Sequence, residues 1–112
     1  MTDATQDSLV TLILAAGKGT RMKSQKAKVL HPICGRPMIQ YSVETAQALG
    51  SNRVIVIVGH QAEAVKDVLK GCEVEFVEQR EQLGTGHAVL QAQSLLKNFN
   101  GTLLVLAGDT PL

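Results

Sequence analysis

The run Leu9-Val-Thr-Leu-Ile-Leu-Ala-Ala-Gly-Lys-Gly-Thr-Arg-Met22 passes from an aliphatic stretch broken only by Thr11 into Ala-Ala-Gly and then into a polar, glycine-rich segment. A short β-branched and aliphatic run bounded by glycine reads as a strand buried on both faces. A strand of that kind needs helices above and below it, and the rest of the chain supplies the pattern. Pro37 opens a helical periodicity carried by Met38, Ile39, Ser42, Val43, Ala46 and Leu49, which Gly50 closes. Val54-Ile-Val-Ile-Val58 is a second buried strand, and Ala62, Val65, Val68 and Leu69 mark a second helix stopped by Gly71. Val74, Phe76 and Val77 give a third strand. A third helix is expected over Ala88 to Leu96 and a fourth strand over Leu103 to Ala107. Strand and helix alternate throughout, so the expected fold is α/β: a Rossmann-like, three-layer, mostly parallel sheet with helices on both faces. Right-handed crossovers would then place the loops after strands one, three and four on the carboxyl edge, where such sheets bind ligands. Gly17 to Arg36 is expected to be a loop.

The loop after the first strand has the ingredients of a phosphate cradle. Glycines let backbone N–H groups approach an anion, while Lys18 and Arg21 bring positive charge, Arg with a two-pronged grip. Two better-known loops do not fit. The dinucleotide fingerprint wants a glycine where Met22 stands, and no Gly-Lys-Ser/Thr follows Gly17 at P-loop spacing. Charge points the same way. The chain of 112 residues has 11 basic and 10 acidic side chains, a net +1, which does not suggest a nucleic-acid binder. Yet Lys18, Arg21, Lys23, Lys26, Lys28 and Arg36 crowd into a segment free of Asp and Glu. A local basic segment in a balanced chain suits a small anionic ligand.

Other features narrow the class. Cys34 and Cys72 are far apart with no C-x-x-C, and His31, His60 and His87 stand singly, so neither a disulfide framework nor a zinc site is expected. Residues 1–8 are polar and contain acids, unlike a signal peptide, and no apolar run is long enough to cross a membrane. A soluble, cytoplasmic protein is expected. The fourth strand is followed at once by Gly108-Asp-Thr-Pro-Leu112, where a doubly wound sheet would normally continue. The chain is therefore read as part of a domain.

Leu14-Ala-Ala-Gly-Lys-Gly-Thr-Arg-Met22, Lys28-Val-Leu-His31, Gly35-Arg-Pro-Met38, Gln82-Leu-Gly-Thr-Gly-His-Ala88 and Gly108-Asp-Thr-Pro-Leu112 together resemble the sugar-phosphate nucleotidylyltransferases. Within that family they look most like the bacterial uridylyltransferases acting on N-acetylglucosamine 1-phosphate. The resemblance runs from about Leu9 to the end. It implies that residues 1–112 are the N-terminal half of a nucleotidylyltransferase domain. The remainder of that domain and a C-terminal β-helix acetyltransferase domain, which forms homotrimers, would lie outside this chain. The implied reaction joins UTP to N-acetylglucosamine 1-phosphate, giving UDP-N-acetylglucosamine and pyrophosphate for cell-wall precursors, with Mg²⁺ as cofactor and neither nucleic acid nor membrane as partner.

The resemblance also implies roles. Arg21 and Lys28 would be catalytic, holding the phosphates, with Lys18 beside them. Leu14, Ala15, Ala16 and Gly17 would line the nucleotide. Gln79 would read the uracil edge, since a primary amide both gives and accepts hydrogen bonds, with Gly84 and Thr85 completing that contact. Ala107, Gly108 and Asp109 would complete the nucleotide site, and Asp109 would bind the Mg²⁺. Read without the resemblance, Gln79 is an exposed loop residue, Thr85 a helix cap and Asp109 a turn former. The sequence departs from the family at Ala27, where Pro is usual, which loosens the loop before Lys28. Rival readings are a nucleotidylyltransferase for another base, a non-catalytic nucleotide-binding relative and, more distantly, a dehydrogenase.

Overall fold

The computed structural model describes residues 9–16, 32–33, 35–59, 62–79, 85–96, 99 and 101–108. In chain order the elements are β1 (Leu9–Ala15), β2 (Pro32–Ile33), β3 (Arg36–Pro37), α1 (Met38–Ala48), β4 (Arg53–Val58), α2 (Ala62–Val68), β5 (Glu75–Glu78), α3 (Thr85–Gln91), a 3-10 turn (Gln93–Leu96) and β6 (Thr102–Ala107). Four strands form one sheet in the order β5-β4-β1-β6, and every pairing in it is parallel. The four strands expected from hydrophobic runs are these four.

Side chains alternate across the sheet with the period of two that extended backbone imposes. Val54, Val56 and Val58 of β4 and Ile13 and Ala15 of β1 pack with Ile39, Val43 and Ala46 of α1 and Val65 of α2. Ile55 and Ile57, with Val10 and Leu12, face the other way and pack with Ala88 of α3 and with Ala92. β1 and β4 are thus central strands covered on both faces, which is why their sequences are aliphatic without interruption. Thr11, the polar member of β1, is fully buried. Its hydroxyl lies 3.1 Å from the Ser51 hydroxyl, so its polarity is satisfied.

α1 buries Ile39, Ser42, Val43 and Ala46, one stripe at three- and four-residue spacing. It ends in a Schellman motif: the Gly50 N–H bonds the Gln47 carbonyl at 3.0 Å and the Ser51 N–H bonds the Ala46 carbonyl at 3.1 Å. Gly50 sits at φ +83°, the left-handed conformation that this motif requires. Leu49, expected on the apolar stripe, is instead 55% exposed, because the cap turns it away from the sheet.

Three further boundaries differ from expectation. The Gly17–Arg36 segment contains a small antiparallel pair, β2 with β3, and Pro37 is the residue before the first turn of α1 rather than within it. The third helix starts at Thr85 and stops at Gln91. Beyond it the chain tightens into 3-10 geometry, with Ala92 N–H bonded to the Val89 carbonyl at 3.1 Å and Leu95 N–H to the Ala92 carbonyl at 3.0 Å. The expected strand at Val74 begins at Glu75.

Candidate functional site

A parallel sheet sends all its strands out at one edge, and the register fixes what stands there. Ala15 lies opposite Val58, Leu14 opposite Ala107, and Val58 opposite Glu78. Two hydrogen bonds carry the ladder past the strand ends. The Gln79 N–H bonds the Val58 carbonyl at 2.7 Å, and the Gly108 N–H bonds the Leu14 carbonyl at 2.9 Å. Ala16, Gln79 and Gly108 therefore close one rim. From β5 to β6 this rim spans three strand spacings, about 14 Å.

The order β5-β4-β1-β6 also locates the reversal. From β1 the chain steps outward to β4 and β5 with its helices on one face. It then returns past β1 to β6 with α3 on the other. The strands beside which the winding direction changes are β1 and β6, and the carboxyl-end crevice at such a switch point is where open α/β sheets bind ligands. The first strand's glycine-rich loop leaves from Ala16 and the Asp109 segment leaves from Gly108, the two sides of that crevice.

Of the residues expected to form the site, Leu14 is half-buried, Ala15 and Ala16 are buried, and Gly108 is buried. Ala107 is exposed on the edge strand, and its carbonyl lies 3.4 Å from the Ser42 hydroxyl of α1. Ser42 is itself 4% exposed, so a helix packed across the sheet fixes the end of β6 just before Asp109. Gln79 is 4% exposed, not the open loop residue that its charged neighbours suggested. Its amide lies 2.9 Å from Nδ1 of His87 on α3. Thr85 is the first residue of α3 rather than a cap outside it. Gly17, Lys18, Arg21, Lys28, Gly84 and Asp109 lie outside the described residues.

His87, which stands singly in the sequence, is brought by α3 to the Gln79 amide. No local signal in the sequence marks this contact between a residue that follows β5 and one in α3. The residue expected to hold a metal is the carboxylate that follows Gly108 in the sequence. Its oxygens are the hard donors that Mg²⁺ takes, commonly one or two carboxylates together with substrate phosphates. The hydrogen bond from Gly108 to β1 fixes where that segment leaves the sheet. Among the described residues no cluster of three or more His, Cys, Asp or Glu could bind a metal.

A domain family described as MobA-like NTP transferase matches residues 11–112. The chain belongs to this family. As a MobA-like NTP transferase domain it is also similar to curated relatives called bifunctional protein GlmU. The one from Thermoanaerobacter pseudethanolicus is 56% identical over 106 residues, covering 95% of this chain and 23% of the relative. That from Thermus thermophilus is 55% identical over 101 residues, 90% of this chain and 22% of the relative. The chain thus spans under a quarter of these relatives' length. Among solved structures, a nucleotidyl transferase from Methanothermobacter superposes with a TM-score of 0.79 at 26% identity, over 93% of this chain and 51% of that one. HddC from Yersinia pseudotuberculosis in complex with GMP-PN gives 0.76 at 29% identity, over 91% and 48%. UDP-glucose pyrophosphorylase in complex with UDP-glucose gives 0.69 at 28% identity, over 81% and 42%. The α/β fold and the nucleotidyltransferase class follow from these matches.

Proposed function

We propose that this chain is the front part of the nucleotidylyltransferase domain of a longer enzyme that makes UDP-N-acetylglucosamine and pyrophosphate from UTP and N-acetylglucosamine 1-phosphate. The oxygen of the sugar phosphate attacks the α-phosphorus of UTP, the α–β anhydride bond breaks, and pyrophosphate carries away the electron pair. Negative charge accumulates on phosphate oxygens, so the protein's part is to position the two substrates and set cations against that charge. Arg21 and Lys18 hold the triphosphate and the departing pyrophosphate, and Lys28 holds the phosphate shared with the sugar. Gln79 reads the base, with Gly84 and Thr85. Leu14 to Gly17 form the nucleotide's floor, and Ala107 and Gly108 lead into Asp109. Asp109 would hold a Mg²⁺ ion, which supplies neutralisation of phosphate charge when bound. The longer enzyme acts in the cytoplasm in cell-wall precursor synthesis, and its C-terminal part acetylates glucosamine 1-phosphate and forms the trimer.

The observation that carries this reading is the shared rim. The first loop and the approach to Asp109 leave the adjacent ends of β1 and β6 at the switch point, and Gln79 follows β5 on the same rim, two strands from β1. The GlmU relatives, together with the neighbours solved with GMP-PN and with UDP-glucose, support it. The test is pyrophosphate release by the complete protein with N-acetylglucosamine 1-phosphate, Mg²⁺ and each nucleoside triphosphate in turn. UTP is expected to be the preferred nucleotide, and Asp109→Ala is expected to abolish Mg²⁺-dependent turnover. Preference for GTP or CTP would reassign the substrate, and an active Asp109→Ala would remove that residue from the metal site.

A further inference from the structure

Ser42 is set apart on α1 because the stripe that this helix buries is otherwise apolar: Ile39, Val43 and Ala46. A serine inside a helix usually faces solvent or turns back on the carbonyl four residues earlier. Ser42 does neither. It is 4% exposed, and its hydroxyl donates to the Ala107 carbonyl, 65 residues on, at 3.4 Å. Among the described residues its side chain makes no other hydrogen bond. A buried hydroxyl needs such a bond, and the place where it lands is the end of β6. Among the described residues β6 pairs with β1 alone, so the ladder holds it from one side. Leu103, Val105 and Ala107 are exposed along it, so apolar packing on that face adds little. On the β1 side the Gly108 N–H bonds the Leu14 carbonyl at 2.9 Å. Ser42 adds a second anchor, from α1 and one residue earlier. Asp109 follows directly in the sequence.

We propose that Ser42 is a positioning residue for the metal-binding end of the site, fixing from α1 the strand end from which Asp109 continues. This rests on the reading of Asp109 given above. Mg²⁺ demands near-ideal octahedral geometry, so a carboxylate that shares the ion with substrate phosphates must start from a fixed place. A strand end free to fray has to be ordered each time the ion binds, and that ordering subtracts from the ion's affinity. At 3.4 Å the bond is long for a hydroxyl donor, so its share is modest. Its loss is expected to weaken the ion by about three- to fivefold rather than by orders of magnitude. Global stability should register the loss far less. Alanine is the better helix former, and Ala107 is exposed, so water can replace the hydroxyl there.

The experiment uses the complete protein with UTP and follows Mn²⁺ in place of Mg²⁺. Binding is read from the enhancement of water-proton relaxation, which rises when the ion sits on a large molecule and needs no turnover. Ser42→Ala is expected to weaken Mn²⁺ binding about three- to fivefold, with a thermal midpoint close to the parent's. Ser42→Cys keeps the shape but is a poor donor, and is expected to behave like Ser42→Ala. Ser42→Thr keeps the hydroxyl and is expected to bind within about twofold of the parent. Pyrophosphate release gives a second readout. The Mg²⁺ concentration for half-maximal rate should rise by the same factor in Ser42→Ala, while the rate at saturating Mg²⁺ stays near the parent's. A Ser42→Ala protein that holds Mn²⁺ as tightly as the parent overturns the proposal. So does a Ser42→Thr protein with the parent's thermal midpoint that loses as much affinity as Ser42→Ala. Asp109→Ala, measured beside them, separates the two failures. If it keeps the parent's affinity for Mn²⁺, the reading of Asp109 falls and the role of Ser42 with it. If it loses that affinity while Ser42→Ala keeps it, the role of Ser42 alone falls.

Discussion

Arg53 shows how one side chain can hold three elements. Its Nε and Nη2 donate to the two Glu75 oxygens at 2.8 and 2.7 Å, and its Nη1 donates to the Leu95 carbonyl at 2.8 Å. Arg53 begins β4, Glu75 begins β5, and Leu95 lies in the 3-10 turn, so the clamp closes the amino edge of the sheet, opposite the site. The carbonyl at the end of a helical run has no intrahelical partner, and the guanidinium satisfies it. Hydrogen bonds from Arg53 hold the Glu75 carboxyl below the usual carboxylate range, against a smaller opposing effect of burial. The same pair raises Arg53, which stays charged. Because Glu75 titrates lower when folded than when unfolded, the pair's contribution is complete above the ordinary carboxylate range. It is lost as pH falls through the folded value. Both side chains are more than a third exposed, so the ion pair is worth about 1 kcal/mol or less despite its two-pronged geometry. Urea midpoints measured against pH should show Glu75→Gln less stable than the parent at neutral pH and equal to it in acid. Arg53→Met should cost more than Glu75→Gln at neutral pH, since it also abandons the Leu95 carbonyl.

At the scale of elements, α1 is the brace of the site: its buried Ser42 reaches the carbonyl of Ala107 at the end of β6. The helix has no basic residue in its last turn and no side-chain cap at its start. Its definition therefore comes from the packed stripe and from the Gly50 cap. An added Cβ at Gly50 would meet nothing within 4 Å, so the cost of Gly50→Ala is backbone strain alone. That cost is expected at roughly 1–2 kcal/mol, read from the thermal midpoint. A cost near zero would show that the helix end is free to adopt another cap. This cap and the two long apolar strands were legible in sequence, because glycine after a helical pattern and unbroken aliphatic runs are local signals. The start of α3 was legible in part, through Thr85 read as a helix cap, whereas the burial of Gln79 was not, since its neighbours are charged and its partner His87 lies on another element.

At the scale of the whole molecule, β6 pairs on one side with β1 and, among the described residues, with no strand on the other. Leu103 and Val105 are 38% and 40% exposed along it. An apolar strand open at its edge pairs readily with another chain. The 112 residues made alone are expected to self-associate with rising concentration, as light scattering would read, and Leu103→Lys with Val105→Lys should suppress this. The isolated chain is also expected to release little or no pyrophosphate beside the complete protein. A monodisperse, fully active 112-residue chain would refute both expectations.

The sequence alone determined the inventory: four strands, two of them buried, the helices between them, and the glycine-rich and basic loop with the residues that resemble a nucleotidylyltransferase. Hydrophobic period and turn chemistry are local properties that a run of residues carries by itself. Only the tertiary structure decided the strand order that puts the switch point between β1 and β6, the burial of Gln79 against His87, and the closure of the amino edge by Arg53 on Glu75 and Leu95. Each joins groups that meet because a sheet has folded between them, and no propensity within a short window encodes such a meeting.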